Sequence, residues 1–168
     1  MFSPELKALS EDIGKLLTSR QQVLTLAESC TGGLAAALIT NSAGSSAWFD
    51  SGLVTYSNQA KEDLLKVQKK TLEKYGAVSE EVAMEMAIGA LQQGRATIAA
   101  SVTGIAGPGG GSASKPVGTV CFAWTSETFA SKSKTYLFQG NREQIREQSV
   151  IALLMGLKDL LSKAHHIF

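Results

Sequence analysis

The chain has 168 residues, of which 44% are hydrophobic and 18% charged, and its formal net charge is +1. A chain of this length buries roughly two-thirds of the surface that it exposes when unfolded, so it needs no disulfide or metal to fold. This composition excludes a disordered or fibrous chain and predicts a single domain over residues 1–168. Positive and negative charges are nearly balanced, and the sequence has no basic cluster of the kind that nucleic-acid binding requires. We therefore expect no nucleic-acid partner.

Cysteine usage and hydropathy bear on the cellular compartment. Cys30 and Cys121 are far apart and form no CxxC motif, which favours a reduced, cytoplasmic setting. Residues 1–10 lack the continuous apolar core of a signal peptide. No apolar run approaches the length of about 20 residues that a membrane span needs, so we expect no membrane partner.

The order of helices and strands predicts the fold class. In chain order the patterns predict a helix that begins at residues 3–5 and ends before 23, a strand at 23–27, a helix at 34–40, a strand at 52–57, a short helix capped by Asn58, a helical turn at 71–75, a helix at 79–93, strands at 97–106, 119–125 and 133–138, and a helix at 142–161. The early alternation favours parallel strands, and the late strand pair favours an antiparallel hairpin. We expect an α/β fold, a three-layer α/β/α sandwich with a mixed, mostly parallel sheet, whose strand at 97–106 is central and buried on both faces.

Three segments that carry reactive or glycine-rich residues each follow a predicted strand. They are residues 28–33, 56–61 and 103–111. Ligands in open α/β sheets gather beyond the carboxyl ends of parallel strands. If the three strands run in the same direction, the three segments share one crevice, and this is the central prediction for the site.

The first segment places Ser29, Cys30 and Thr31 at the start of a helix, followed by Gly32 and Gly33. Backbone N–H groups at a helix start can hold an oxyanion or a phosphate, and glycines let a substrate approach the backbone closely. The simpler alternative is that Ser29 or Thr31 only caps the helix.

The second segment supplies Tyr56 and Lys61. A serine needs a base to become a nucleophile, and the only histidines, His165 and His166, lie at the chain end, where fraying is expected. A Ser-His-Asp triad is therefore not favoured. A lysine can act as the base if burial lowers its pKa, with Tyr56 relaying the proton or positioning an amide. The alternative is that Lys61 lies on a solvated helix face.

The third segment contains five glycines around Pro108 and can present N–H groups to an anion. It is not a Walker A motif, and a flexible surface loop is the alternative. Lys115 and Arg142 are the cations that could pair with a phosphate. We expect no metal and no other cofactor, because the histidines are adjacent and terminal and no carboxylate cluster has ligand spacing.

Four motifs in register resemble those of the CinA C-terminal domain family. They are residues 27–33 (AESCTGG), Tyr56-Ser57-Asn58 followed by Lys61, residues 76–79 (GAVS), and residues 103–108 (TGIAGP) with Gly110, Gly111 and residues 115–120 (KPVGTV). The resemblance runs from about Leu24 to the final helix, so it covers most of the chain.

This resemblance implies an activity and a set of functional residues. The activity is that of an amidase in pyridine nucleotide salvage, which hydrolyses nicotinamide mononucleotide to nicotinate mononucleotide and ammonia. The implied fold is similar to anticodon-binding domains. The family pattern implies a serine nucleophile assisted by tyrosine and lysine, which correspond to Ser29, Tyr56 and Lys61. Substrate contacts are expected from Glu28, Cys30, Thr31, Gly32, Gly33, Thr103, Gly104, Gly107, Gly110 and Arg142.

In the mechanism that we expect, neutral Lys61, linked through Tyr56, takes the proton of Ser29, and N–H groups at residues 31–33 stabilise the oxyanion. Two alternatives stay open. Cys30 could be the nucleophile, with Glu28 and Lys61, as in nitrilase-like amidases, or it could be a small buried hydrophobic residue. The chain could also be a non-catalytic module that binds nucleotides or a partner protein. A homodimer is expected from the frequency of dimers among proteins.

Overall fold

The computed structural model describes residues 1–163. Its elements are α1 (Pro4–Ser19), β1 (Leu24–Glu28), α2 (Leu34–Thr40), β2 (Phe49–Val54), α3 (Asn58–Leu65), α4 (Lys69–Tyr75), α5 (Glu80–Leu91), β3 (Ile98–Gly104), β4 (Thr119–Ser126), β5 (Lys132–Leu137) and α6 (Arg142–Lys163). A single 3-10 turn at Ser45–Ala47 precedes β2. None of the helices within residues 1–163 combines the length and the apolarity that crossing a bilayer demands.

The five strands form one sheet in the order β2-β1-β3-β4-β5. β1 pairs in parallel with both β2 and β3, whereas β4 is antiparallel to both β3 and β5. Every strand except β4 therefore points in the same direction, although only two of the pairings are parallel. The predicted mixed sheet is confirmed, and so is the central position of β3.

Helices cover both faces of the sheet, as predicted. α1, α2 and α6 pack on one face around a core that includes Ile13, Leu38 and Leu157. α3, α4 and α5 pack on the other face, where Val82 and Met86 are fully buried. The predicted core stripe on α5 is thereby confirmed, and the fold is a three-layer α/β/α sandwich.

The second strand differs from its prediction. β2 begins at Phe49 rather than Gly52 and ends at Val54, so Tyr56 lies in the connection to α3. The cap of α3 is Ser57 rather than Asn58, because the Ser57 hydroxyl accepts the N–H of Ala60 at 3.0 Å. β2 is an edge strand with one covered face. Its sequence FDSGLV lacks the regular alternation of apolar and polar residues that marks such strands.

A glycine on α5 allows α3 to approach closely. A Cβ on Gly89 would lie 1.8 Å from the backbone oxygen of Leu65, at the end of α3. Only glycine permits this approach. The packing holds α3 against α5 and the sheet, and it thereby fixes the helix that carries Lys61.

Candidate active site

The three segments meet at one edge of the sheet, as predicted. β1, β2 and β3 are parallel, so their carboxyl ends lie side by side. A cavity of about 230 Å³ opens there, and each of the three segments contributes to its walls together with the start of α6. Among the residues that line it are Ser29, Tyr56, Lys61, Thr103, Gly104 and Arg142.

A serine and a lysine are in direct contact in this cavity. The Nζ atom of Lys61 donates a hydrogen bond to the Oγ atom of Ser29 at 2.9 Å and another to the backbone oxygen of Thr55 at 2.8 Å. Lys61 is only 1% exposed, and burial lowers the pKa of its ammonium group from 10.5 to about 8. The alternative in which Lys61 lies on a solvated helix face is therefore excluded.

The alternation of side chains along β1 explains why Ser29 meets Lys61. Leu24 and Leu26 belong to the core beneath α1, α2 and α6, whereas Ala27 belongs to the core beneath α3 to α5. Side chains two residues apart share a face of a strand. Ser29 extends the face of Ala27 towards α3, and Glu28 extends the opposite face towards α2.

Glu28 holds the start of α2 rather than the cavity. Its carboxylate is fully buried and accepts the backbone N–H groups of Ala35 and Ala36, both at 3.0 Å, and the hydroxyl of Thr31 at 2.6 Å. Gly33 occupies the cap position without a side chain, so Glu28 supplies the missing acceptor. Neither Glu28 nor Thr31 lines the cavity, and their expected substrate contacts stay predictions. No side chain caps α2, so the alternative in which Ser29 or Thr31 only caps the helix is not supported.

The backbone around Ser29 offers fewer free donors than expected. The N–H of Gly32 donates to the oxygen of Ser29 at 3.0 Å, and the N–H of Ser29 donates to Val102 at 3.0 Å. Neither Gly32 nor Gly33 lines the cavity. Within the described part of the chain, the N–H groups of Cys30 and Thr31 have no protein acceptor. Of these two residues only Cys30 lines the cavity, so its N–H is the donor best placed for an oxyanion.

Cys30 lines the cavity as a protonated thiol. It is 6% exposed, and burial raises the pKa of its thiol to about 12. A cysteine is a strong nucleophile only as a thiolate. The structure therefore favours the interpretation of Cys30 as a small buried hydrophobic residue over that of a nucleophile.

Tyr56 and Arg142 lie at the mouth of the cavity. The guanidinium of Arg142 donates to the Tyr56 hydroxyl at 2.9 Å and to the backbone oxygen of Gly107 at 2.8 Å. Tyr56 is 61% exposed. Because Lys61 contacts Ser29 directly, the proton relay through Tyr56 that the sequence suggested is not needed.

The glycine-rich segment contributes its first part to the cavity. Gly104 lines the wall, as does Thr103, whose hydroxyl donates to the backbone oxygen of Ala77 at 3.0 Å. Gly107 acts through its carbonyl on Arg142, whereas Gly110 is exposed and does not line the cavity. The expected phosphate partner Lys115 instead binds the backbone oxygen of Tyr75.

Sequence reasoning missed Arg146. Its guanidinium donates to the backbone oxygens of Cys30 at 3.1 Å and Thr31 at 3.0 Å. The one available signal was its spacing, since Arg146 follows Arg142 by four residues and so lies on the same side of α6. Backbone carbonyls more than a hundred positions away leave no mark in a sequence pattern.

The described residues, 1–163, offer no metal site. There, no group of three or more His, Cys, Asp or Glu side chains could hold a metal ion. His165 and His166, the two histidines of the sequence, lie outside the described residues.

Comparison with known proteins places this geometry in a family. Residues 6–161 match the CinA C-terminal domain. The chain is 50% identical over 157 residues to the nicotinamide-nucleotide amidohydrolase PncC of Escherichia coli (strain K12), which covers 94% of this chain and 95% of that protein. It is 51% identical over 162 residues to the protein of the same name from Enterobacter agglomerans, covering 96% and 99% of the two chains.

A solved structure shows the same fold. The crystal structure of the competence/damage inducible protein CihA from Agrobacterium tumefaciens superposes with a TM-score of 0.92 at 43% identity, and the match covers 96% of this chain and 98% of that one. With the motifs, the fold and the sequence match in agreement, this chain belongs to the CinA C-terminal domain family.

Proposed function

We propose that this protein is an amidase that hydrolyses the carboxamide of nicotinamide mononucleotide to nicotinate mononucleotide and ammonia, in pyridine nucleotide salvage. The observation that carries the proposal is the 2.9 Å contact between Lys61 Nζ and Ser29 Oγ inside the cavity. It supplies a nucleophile and a base in one place. The names of the relatives, nicotinamide-nucleotide amidohydrolase, support the choice of substrate.

Lys61 is the proposed general base. With its pKa lowered to about 8, about one tenth of its amine is neutral at pH 7, against well under one in a thousand for an ordinary lysine. The Thr55 carbonyl can only accept, so it orients one N–H bond of the amine and leaves the lone pair free to face Ser29. Lys61 then takes the Ser29 proton as the hydroxyl oxygen attacks the carboxamide carbon.

The following steps return the enzyme to its starting state. The negative oxygen of the tetrahedral intermediate is held by the N–H of Cys30, and a donor of this kind contributes about 3 kcal/mol. The C–N bond breaks as Lys61 returns its proton to the leaving nitrogen, so ammonia departs and an ester remains on Ser29. Water, deprotonated by Lys61, cleaves the ester to release nicotinate mononucleotide and restores the Ser29 hydroxyl.

The mouth of the cavity suits the rest of the substrate. Arg142 is exposed there and can exchange its bond to the Tyr56 hydroxyl for a phosphate oxygen. The exposed Tyr56 ring offers a face to the positively charged pyridinium of the nucleotide. Gly104 lines the wall of the same cavity and leaves room for the ribose.

The direct test is ammonia release from nicotinamide mononucleotide by purified, chelator-treated protein. We expect sustained release with a matching amount of nicotinate mononucleotide. Activity that persists after chelation would also support the expected absence of a metal cofactor. If the mononucleotide, the riboside and the dinucleotide are all inert, the amidase proposal fails and the non-catalytic binding module becomes the better explanation.

A cysteine variant separates the two candidate nucleophiles. Cys30→Ala is expected to keep kcat within roughly threefold of wild type, because the buried thiol is protonated and only its side-chain volume is lost. Iodoacetamide should leave the wild-type rate unchanged over the same time. Loss of turnover in Cys30→Ala, with its melting transition retained, would instead make Cys30 the nucleophile.

Three further expectations stay predictions. The protein is expected to be a homodimer, to reside in the cytoplasm and to act as a single domain over residues 1–168. Exposed apolar side chains on described elements, such as Val54 on β2 and Met155 on α6, are the surfaces to examine for a dimer contact.

A further inference from the structure

Arg146 binds the backbone of the turn that carries the proposed nucleophile, from outside the cavity. Its Nε atom donates to the oxygen of Cys30 at 3.1 Å, and its Nη2 atom donates to the oxygen of Thr31 at 3.0 Å. Arg146 does not line the cavity that contains Ser29 and Lys61. It lies instead in a separate depression between α1, α2 and α6. It therefore cannot act by touching the substrate.

The guanidinium of Arg146 hydrogen-bonds to these two backbone oxygens and forms no ion pair with a described residue. Glu143 and Glu147 line the same depression as Arg146. In the described part of the chain, however, no carboxylate oxygen comes within 4.0 Å of a nitrogen of Arg146. A charged, two-point hydrogen bond to neutral backbone oxygens is stronger and more directional than a neutral one. Its effect is to fix the orientation of two successive peptide groups.

Because peptide groups are planar, the hydrogen bonds from Arg146 to backbone oxygens also fix the direction of backbone N–H groups in the turn after Ser29. The peptide bonds from Ser29 to Gly32 are trans, so in each of them the N–H points away from the C=O. Arg146 holds the Thr31 oxygen, and the N–H of the same peptide group, that of Gly32, donates to the Ser29 oxygen at 3.0 Å. The Ser29 oxygen belongs to the peptide group whose N–H is that of Cys30, which lines the cavity, so these contacts fix the direction of the Cys30 N–H. The positive charge on the carbonyls also polarises both peptide groups, which strengthens their N–H donors.

We propose that Arg146 is a positioning residue that holds the turn after Ser29 so that the Cys30 N–H keeps the orientation needed to stabilise the oxyanion formed when Ser29 is acylated. This inference rests on the proposed amidase function for its substrate, although the contact itself does not depend on the identity of the acyl group. Arg146 acts through the backbone, so its loss should affect the rate of the chemical step more than substrate binding.

The variants Arg146→Lys and Arg146→Ala test the proposal. Lysine keeps the charge but cannot bind both oxygens in the forked geometry of arginine. We expect kcat for nicotinamide mononucleotide to fall about 100-fold in both, as for a misplacement of about 1 Å in a catalytic group, with KM within about threefold. Arg95→Ala is the matched control, because Arg95 is 94% exposed and precedes β3, at the opposite end of the sheet.

Guanidinium ion supplies a second readout. Added at millimolar concentration to Arg146→Ala, it can occupy the vacated space and should restore part of kcat, whereas the wild type and Arg95→Ala should not respond. A merely structural role would appear as a lower melting temperature with normal kcat per folded molecule. That result, a rise in KM alone, or loss of folding in both variants would overturn the proposal.

Acylation by p-nitrophenyl acetate separates this inference from the choice of substrate. Mass spectrometry can follow the acetyl group on Ser29, and formation of that ester needs the same oxyanion donor. If the wild type is acylated but does not deamidate the nucleotide, the proposed substrate fails and the Arg146 comparison is decided by the acylation rate. Equal acylation of Ser29 in the wild type and both Arg146 variants would overturn the positioning role.

Discussion

Replacing Ser29 with alanine is expected to abolish ammonia release, with kcat falling by at least about 10⁴-fold, as for other enzymes that lose an essential serine nucleophile. No other hydroxyl occupies its place beside Lys61 Nζ, because the remaining bond of that atom goes to a backbone carbonyl. The variant should fold. Alanine removes one buried hydrogen-bond partner, at a cost of about 1 to 3 kcal/mol.

The control for Ser29→Ala is Ser10→Ala. Ser10 is buried, as Ser29 is, and its hydroxyl shares a 2.8 Å hydrogen bond with that of Ser42, away from the cavity. Both variants lose one buried hydroxyl, but only Ser29→Ala should lose turnover. Circular dichroism melts of the two variants and ammonia release at saturating substrate provide the comparison. Near-normal release by Ser29→Ala would exclude the serine mechanism.

The residues that the sequence predicted well follow directly from local patterns. Ser29 and Lys61 each come just after a strand, and parallel strands bring such positions to one edge of the sheet. Because the only two histidines lie at the chain end, the sequence favours a lysine as the base. Helix starts were also predictable, since Ser3 and Ser79 both accept the N–H of a residue in the first turn.

The residues that the sequence placed wrongly, or did not find, depend on tertiary contacts. All five residues of β1 are buried, so no polar alternation reveals that Glu28 faces α2 while Ser29 faces α3. Tyr56 lines the same cavity as Lys61, but no local pattern predicts that its hydroxyl accepts a hydrogen bond from Arg142, 86 positions later. Arg146 recognises carbonyl groups, which every residue has, so side-chain identities at residues 30 and 31 carry no signal for it.

Variants of Lys61 distinguish a role as general base from a role as a positive charge. Arginine keeps the charge but does not lose its proton in proteins, and methionine keeps only the approximate shape. If Lys61 is the general base, both Lys61→Arg and Lys61→Met should lose at least about 10³-fold in kcat, within the range for removal of an acid–base group. Retention of activity in Lys61→Arg alone would instead assign an electrostatic role.

The pH profile of the wild type tests the same role without a mutation. Lys61 must be neutral to accept the Ser29 proton, and its pKa is lowered to about 8. The value of kcat/KM should therefore rise about tenfold per pH unit below that pKa and level off above it. The slow residual rates of Lys61→Arg and Lys61→Met should lack this rise. A flat wild-type profile from pH 6 to 9 would contradict a lysine base.

The lowered pKa of Lys61 also links stability to pH. Between about 8 and 10.5 the unfolded lysine holds its proton and the folded one has lost it, so the unfolded state binds more protons and the free energy of unfolding rises with pH. Relative to Lys61→Met, which has no such group, the wild type should gain up to about 3 kcal/mol across this window. Urea melts of both proteins at pH 7 and pH 10 measure the gain. Below its folded pKa the buried ammonium of Lys61 lowers the free energy of unfolding. This loss of stability arises at the residue that the proposed reaction needs as a neutral amine.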